Sequence, residues 1–185
     1  MDTTKPCRLL LGETPPIRTM RLRTPATQDA ASIAELAGDR DIARRLSRLP
    51  HPYGLDDARY FLRAIVPNEM AWAIASRDDG RLLGIAGLAP NTATGVAELG
   101  YWLGRPYWGR GLATEAARAI ATYAFEELGL PMLASGCFVD NDASRRVLAK
   151  TGFVEIGRSE RSCLALGGTH PFIDMTLDRP DRPAR

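Results

Sequence analysis

The pattern of apolar and polar positions changes period several times along the chain, and each change predicts an element. The early part predicts an edge strand followed by two helices, which begin after Thr27, a predicted N-cap, and after Gly54. Tyr60 is expected on the inner face of the second helix. The middle predicts three strands in close succession, the first two joined as a hairpin by a turn at Gly80. The predicted strands cover residues 17–23, 71–76, 82–88, 96–103, 132–139, 153–156 and 172–177, and the later helices cover residues 112–128 and 143–150.

This order of elements predicts a mixed α/β fold in which most strands are antiparallel. A doubly wound sheet would need strands that alternate regularly with helices, and here three strands follow one another directly. The chain has 185 residues, which is the size of one domain. We expect a flexible arm over residues 1–16, a single domain over residues 17–177 and a frayed tail over residues 178–185.

Composition narrows the function classes. Lys plus Arg is 24 and Asp plus Glu is 22, and a net charge of +2 excludes a nucleic-acid binder that works by bulk charge. Cys7, Cys137 and Cys163 are scattered without a CxxC pair, so neither a disulfide framework nor a metal site is expected. The sequence contains no signal-peptide pattern and no apolar run long enough for a bilayer, which predicts a cytoplasmic protein.

A glycine-rich turn between a predicted strand and the long helix carries the most chemical information. Gly104, Gly109 and Gly111 lie in this turn, where they let consecutive backbone N–H groups converge, and the helix start adds partial positive charge. Such a turn binds phosphate, although a turn that only starts a helix has the same composition. Arg110 stands where a Walker loop has lysine, and Thr114 stands at the last position of a dinucleotide fingerprint, so the turn matches neither motif.

A second cluster of polar residues follows the buried strand at residues 132–139. Asn141 comes directly after this strand and is a natural helix cap, and Ser144 lies one turn later on the same side. A cap and a helix serine are common features on their own. Here they lie beside the end of the strand predicted to neighbour residues 96–103, which makes them candidates for the same site as the glycine turn.

Together these motifs resemble those of the GNAT superfamily of acyl-CoA-dependent N-acetyltransferases, especially its ribosomal-protein N-terminal acetyltransferase-like branch. One signature is Gly-Tyr-Trp-Leu followed by Tyr-Trp-Gly-Arg-Gly-Leu-Ala-Thr-Glu-Ala, and the other is Asn-Asp-Ala-Ser followed by Lys-Thr-Gly-Phe. The resemblance extends from about Ile17 to Leu177. It implies a central sheet of about six to seven strands with a splayed central pair, flanked by about four helices.

The resemblance also implies that acetyl-CoA is the cosubstrate and that no metal takes part. Backbone N–H groups of the glycine turn would hold the diphosphate, Asn141 would bind the pantetheine arm, and a backbone N–H in the strand before the turn would polarise the thioester carbonyl. Trp108 departs from the Gln or Arg of the general family motif but suits the branch. The coenzyme-binding residues implied in this way are Tyr101, Trp102, Leu103, Trp108, Gly109, Arg110, Gly111, Leu112, Ala113, Thr114 and Asn141.

Acetyl transfer to an amine needs a base for the amine and a hydrogen-bond donor for the leaving thiolate. Glu98 is the candidate base, because it lies on the strand expected to form the floor of the active site, although a solvated strand glutamate has the same pattern. Many family members protonate the thiolate with a tyrosine seven residues after the asparagine, and here Leu148 occupies that position. The branch implies Ser144 as the substitute, with Tyr101 and Tyr107 as nearby alternatives.

The predicted function is transfer of an acetyl group from acetyl-CoA to a primary amine by direct attack in a ternary complex. The acceptor, a protein N-terminus or a small-molecule amine, is expected between the first two helices, including residues 51–57, and the late strands at residues 155–172. Glu155 or Asp174 could attract a cationic acceptor, although solvated surface carboxylates are the default for such residues. A non-catalytic acyl-CoA-binding or regulatory module and a nucleotide-binding protein are the alternatives. No nucleic-acid or membrane partner is expected, and the protein is expected to be a monomer or a homodimer.

Overall fold

The computed structural model describes residues 19–90 and 95–180, which form one seven-stranded sheet with helices on both faces. The strand order is β1-β2-β3-β4-β5-β7-β6, and every neighbouring pair is antiparallel except β4 and β5. The strands are β1 (Met20–Arg23), β2 (Met70–Ser76), β3 (Leu82–Pro90), β4 (Ala97–Leu103), β5 (Met132–Phe138), β6 (Val154–Ser162) and β7 (Thr169–Asp178). The helices are α1 (Ala30–Ala37), α2 (Arg40–Ala43), α3 (Leu55–Tyr60), α4 (Leu112–Glu126) and α5 (Asp142–Thr151). The predicted mixed α/β class and mostly antiparallel sheet are confirmed.

Two hydrophobic cores lie on opposite faces of the sheet. The larger core packs α4 and α5 against one face, and the smaller one packs α1 and α3 against the other. Alternation along β4 divides its side chains between them, so Leu99 and Leu103 join the larger core while Trp102 packs against the smaller one. No helix in the described part of the chain is long and apolar enough to cross a bilayer.

Small residues let the long helix α4 lie close to the sheet. Ala116, Ala117 and Ala124 are fully buried beside Ile120, so most side chains on the buried face of the helix are small as well as apolar. The helix is preceded by Gly111 in the left-handed region, with a φ of 78°. The close packing fixes the start of α4 next to the end of β4, where the sequence predicts the site.

The central strands β4 and β5 pair over only two positions and then part. The parallel register joins Ala97 to Leu133 and Glu98 to Ala134, and no further pair follows within the described residues. Both strands continue beyond these pairs, because β4 stays paired with β3 and β5 with β7 on their outer sides. The splayed central pair that the resemblance implied is therefore present.

Three local predictions differ from the structure. Thr27 is not a helix cap: it lies in a 3₁₀ turn before α1, and Asp29 accepts a hydrogen bond from the N–H of Ala26. Tyr60, expected on the inner face of the second helix, is exposed. The two terminal strands are longer than predicted, because β6 continues through a run of exposed residues that carries no apolar alternation.

The structure contains one helix that was not predicted, and some predictions fall on residues that it does not describe. The short helix α2 was not predicted, so the described residues contain five α-helices rather than four. The predicted N-terminal arm at residues 1–16 and the end of the predicted tail lie outside the described residues. The predicted domain bounds of 17–177 remain a prediction.

The turn between β6 and β7 is fastened to the segment that follows α2. The Leu164 N–H donates to the Ser47 carbonyl at 3.1 Å. The buried Cys163 thiol lies 3.8 Å and 3.7 Å from the carbonyl oxygens of Arg44 and Leu46. This contact places the end of β6 next to the loop between α2 and α3.

Candidate functional site

A cleft of about 1020 Å³ opens where β4 and β5 part. Its walls come from β3 and β4, from α3, from the glycine turn before α4, from α5 and from the end of β6. Every residue that the sequence assigned to coenzyme binding or catalysis lines this cleft, namely Glu98, Tyr101, Trp102, Leu103, Trp108, Gly109, Arg110, Gly111, Leu112, Ala113, Thr114, Asn141 and Ser144. The fold thus brings together residues from two motifs that are separate in the sequence.

The glycine turn has an open backbone that suits an anionic group. Gly109 and Gly111 have φ values of 74° and 78°, and a Cβ on either would have no neighbour within 4 Å. Because α4 begins at Leu112, the N–H groups of its first turn have no acceptor within the helix. The N–H of Trp108 is different, since it donates to the Arg105 carbonyl at 3.2 Å and is already engaged.

Aromatic and basic side chains hold the turn in place. The Trp108 indole Nε1 donates to the Leu103 carbonyl at 2.7 Å, which ties the turn to the end of β4. The Arg45 guanidinium lies 5.4 Å from the Trp108 ring centroid, and the Arg110 guanidinium lies 6.0 Å from that of Tyr107. The turn therefore has a fixed backbone with positive charge close to it.

The edge of β4 that faces the cleft presents backbone N–H groups. Ser135 Oγ on β5 donates to the Leu99 carbonyl at 2.8 Å, so Leu99 directs its backbone polar groups toward β5. The N–H and C=O of one strand residue point to the same side, and this side alternates along the strand. Tyr101 and Leu103 therefore also direct their N–H groups toward β5, beyond the point where the β4–β5 pairing ends at Glu98.

Asn141 and Ser144 lie at the start of α5, beside Tyr101. The Asn141 side-chain oxygen accepts a hydrogen bond from the Ser144 N–H at 3.2 Å, so Asn141 caps the helix. The Tyr101 hydroxyl lies 2.8 Å from Ser144 Oγ. Burial raises the pKa of Tyr101 above its ordinary value, so the phenol stays protonated at neutral pH. Leu148, at the position where the family resemblance implies a tyrosine in many members, is fully buried in the core.

Glu98 forms an ion pair with Arg161, a residue that the sequence analysis did not single out. Arg161 on β6 reaches across β7 and β5 to Glu98 on β4, and its Nη1 donates to Oε1 of the carboxylate. Its guanidinium lies 4.2 Å from the ring centroid of Phe172. That ring in turn lies over Gly136 of β5, where a Cβ would overlap it. Because both charged side chains are about 30% exposed, the pair is accessible from the cleft.

A second ion pair lines the same cleft. Arg48 Nη1 and Nη2 donate to the two carboxylate oxygens of Glu69 at 2.7 Å and 3.0 Å. The pKa of Arg48 is raised chiefly by this hydrogen bond, and the charge of Glu98 also contributes. No motif contains Arg48, Glu69 or Arg161, and each of these pairs joins distant parts of the chain, so the sequence carried no local signal for them.

The two acidic residues that the sequence offered as possible contacts for a cationic acceptor lie outside the cleft. Glu155 pairs with Arg145 at 2.9 Å and with Arg158 at 3.4 Å. Neither Glu155 nor Asp174 is among the residues that line the cleft. The positions of both residues agree with the alternative left open by the sequence, that they are ordinary surface carboxylates.

A family model described as an acetyltransferase (GNAT) domain matches residues 19–154 of the chain. The chain belongs to the GNAT acetyltransferase family. The resemblance drawn from the two motifs is thereby confirmed. The GNAT assignment also agrees with the fold, since the parted strands and the glycine turn both lie within the matched residues.

Relatives and solved structures extend the comparison. The protein named "Probable N-acetyltransferase YjcK" of Bacillus subtilis is 35% identical over 115 residues, which are 61% of this chain and 64% of that protein. The chain spans about half to two thirds of the length of the curated relatives it matches.

Two crystal structures show the same fold. The ribosomal-protein-S5-alanine acetyltransferase from Vibrio fischeri has a TM-score of 0.75 and 18% identity, covering 89% of this chain and 96% of that one. The spermidine N-acetyltransferase from Vibrio cholerae, in complex with CoA and spermine, has a TM-score of 0.72 and 21% identity, covering 86% and 95%. Both acetyltransferases thus share their fold with this GNAT chain over most of its length.

Proposed function

We propose that the protein transfers an acetyl group from acetyl-CoA to a primary amine by direct attack within a ternary complex. The observation that carries the proposal is that the glycine turn and the parted strands β4 and β5 open into one cleft. A parted sheet next to an anion-binding turn suits an extended molecule with a diphosphate at one end and an acyl group at the other.

In this proposal the backbone of the turn and of β4 binds the coenzyme. The N–H groups from Gly109 to Thr114 hold the diphosphate, with Arg110 as an additional positive charge. The pantetheine arm lies along β4 as an added strand, and Asn141 donates to it from its side-chain amide. A cleft-facing N–H of Tyr101 or Leu103 then polarises the thioester carbonyl.

The acetyl transfer itself uses two side chains that line the cleft, one from β4 and one from α5. The amine nitrogen attacks the thioester carbon, the carbon–sulfur bond breaks, and coenzyme A leaves as a thiolate. Glu98 receives the proton that the amine loses, directly or through a water molecule. Ser144 donates a hydrogen bond to the thiolate, which takes its proton from water because a serine hydroxyl is a weak acid.

The test is a measurement of free thiol released from acetyl-CoA with a panel of amines, together with coenzyme affinity by calorimetry. Glu98→Gln keeps an oxygen that can accept from Arg161 but removes the base. We expect turnover to fall about 100-fold, the low end for a general base, while the Kd for acetyl-CoA stays within about twofold. Glu155→Gln, the same change outside the cleft, should leave both quantities unchanged. Unchanged turnover of Glu98→Gln would remove Glu98 from the mechanism.

A non-catalytic acyl-CoA-binding module is the second candidate, and one observation favours it. Leu148 leaves no hydroxyl at the position where many relatives have tyrosine, and its side chain is fully buried among apolar groups. The same assay separates the two functions, because a binding module would bind acetyl-CoA tightly and release no thiol with any amine in the panel.

A further inference from the structure

The walls of the cleft carry more positive than negative charge. Among the described residues that line it, the basic side chains are Arg45, Arg48, Arg110, Arg146, Lys150 and Arg161, and the acidic ones are Asp57, Glu69 and Glu98. Each of these three carboxylates already accepts a hydrogen bond, from the Gly54 N–H, from Arg48 and from Arg161 respectively. Two of the three, Glu69 and Glu98, are therefore already paired with a guanidinium, which a polycationic acceptor would have to displace to bind them.

The position of Arg161 distinguishes it from the basic residues near the glycine turn and α5. Arg110 lies in the turn itself, while Arg146 and Lys150 lie on α5, where the proposed function places the coenzyme. Arg161 comes instead from β6, the strand at one edge of the sheet, and contacts Glu98, the proposed base. Its positive charge is therefore next to the site of amine deprotonation.

Arg161 is held in one position but keeps binding capacity. Phe172 lies under its guanidinium, and Gly136 gives that ring its place on the sheet. The contact with Glu98 uses Nη1, and a guanidinium has five N–H donors in a fixed planar arrangement. The group can bind a second carboxylate while it still contacts Glu98.

We propose that the acceptor is a small zwitterion of the amino-acid class, whose carboxylate binds Arg161 and whose amine lies at Glu98. This inference rests on the proposed acetyl transfer. Because the two side chains are in direct contact, the amine and carboxylate that they bind must lie within a few bonds of each other. An α- or β-amino acid meets this condition, whereas a long diamine and a peptide N-terminus remote from any carboxylate do not.

The experiment compares free amino acids with their carboxamides as acceptors, using thiol release from acetyl-CoA. The twenty standard amino acids and β-alanine are tested with the wild type and with Arg161→Met, Arg161→Lys and Arg158→Met. We expect kcat/KM for the preferred amino acid to exceed that of its amide by about 10- to 100-fold, the contribution of a hydrogen-bonded charge pair. Arg161→Met should abolish this preference and leave the KM for acetyl-CoA unchanged, and Arg161→Lys should restore part of it. Arg158 lies on the same strand outside the cleft, so Arg158→Met should behave as wild type.

Several outcomes would overturn the inference. The inference is wrong if the enzyme uses carboxamides as well as free amino acids, or peptide N-termini better than amino acids. It is also wrong if Arg161→Met lowers kcat/KM equally for the amino acid and for its amide. Amino-acid binding to the protein with coenzyme A bound is measured separately by calorimetry. Arg161-dependent binding without thiol release would contradict the proposed acetyl transfer alone and support the recognition of the zwitterion.

Discussion

The hydrogen bond between Tyr101 and Ser144 provides a test of how the leaving thiolate is stabilised. If Ser144 donates to the thiolate, Tyr101 fixes the orientation of its hydroxyl from 2.8 Å away. Tyr101→Phe keeps the ring in its packed position and removes only the phenolic oxygen. A neutral hydrogen bond contributes about 0.5–1.5 kcal/mol, which corresponds to about a 2- to 10-fold decrease in kcat.

Ser144→Ala should have a larger effect, because a hydrogen bond to a charged acceptor contributes about 1.5–3 kcal/mol, or about 10- to 150-fold in kcat. The double variant should match Ser144→Ala alone, since Tyr101 acts only through Ser144. Thiol release gives kcat, and the KM for acetyl-CoA should not change in either single variant.

The pH profile distinguishes this positioning role from proton transfer by the tyrosine itself. Burial raises the pKa of Tyr101, so the phenol does not titrate between pH 6 and about 9, and the effect of Tyr101→Phe should be constant across that range. If Tyr101→Phe keeps the wild-type kcat, or if the loss in the double variant is the product of the two single losses, Tyr101 does not act through Ser144.

Single substitutions also test the glycine turn and the start of the first helix. Gly111→Ala should weaken acetyl-CoA binding about 5- to 30-fold in calorimetry, because an alanine at a φ of 78° costs about 1–2 kcal/mol. Gly129→Ala imposes the same strain at the far end of α4 and should lower stability without changing affinity; an equal loss of affinity would contradict the role of the turn. Asp29→Asn should lower the free energy of unfolding in urea by about 2 kcal/mol, since it breaks a two-bond ion pair with Arg23 that is partly buried. Burial opposes ionisation of Asp29, but the hydrogen bonds from Arg23 and from the Ala26 N–H outweigh it and lower the pKa of Asp29. The stabilisation is therefore present above the ordinary aspartate pKa of about 3.9, and it is lost as the pH falls through the lower pKa that Asp29 has in the folded protein. Asp29→Asn should therefore reduce the decrease in the free energy of unfolding at acidic pH. An unchanged decrease would show that the ion pair with Arg23 does not control it.

The parts of the site that the sequence predicted are those whose chemistry is local. The glycine turn from Gly104 to Gly111 and the cap at Asn141 are each defined by neighbouring residues, so their conformation follows from residue type. The order of the elements was likewise sufficient to predict the mixed sheet.

The ion pair at the proposed acceptor site could not be predicted in this way. The pair between Glu98 and Arg161 joins positions 63 residues apart and depends on the strand order, which places β5 and β7 between them. It also depends on Phe172 lying over Gly136, and a glycine in a strand gives no sign of what will cover it. The length of β6 escaped prediction for a related reason, since its exposed residues are held by pairing with β7 and not by burial.

The contact between the turn after β6 and the segment after α2 has a consequence for how acceptor preference can change. Ser47 and Arg48 line the cleft, whereas Cys163 and Leu164, which bond to this segment, do not. Substitutions in the turn can therefore shift the cleft wall at Ser47 and Arg48 without adding a side chain to the cleft. Selection for a new acceptor can act on these outlying positions and leave unaltered the glycine turn and β4, where we propose that the coenzyme binds.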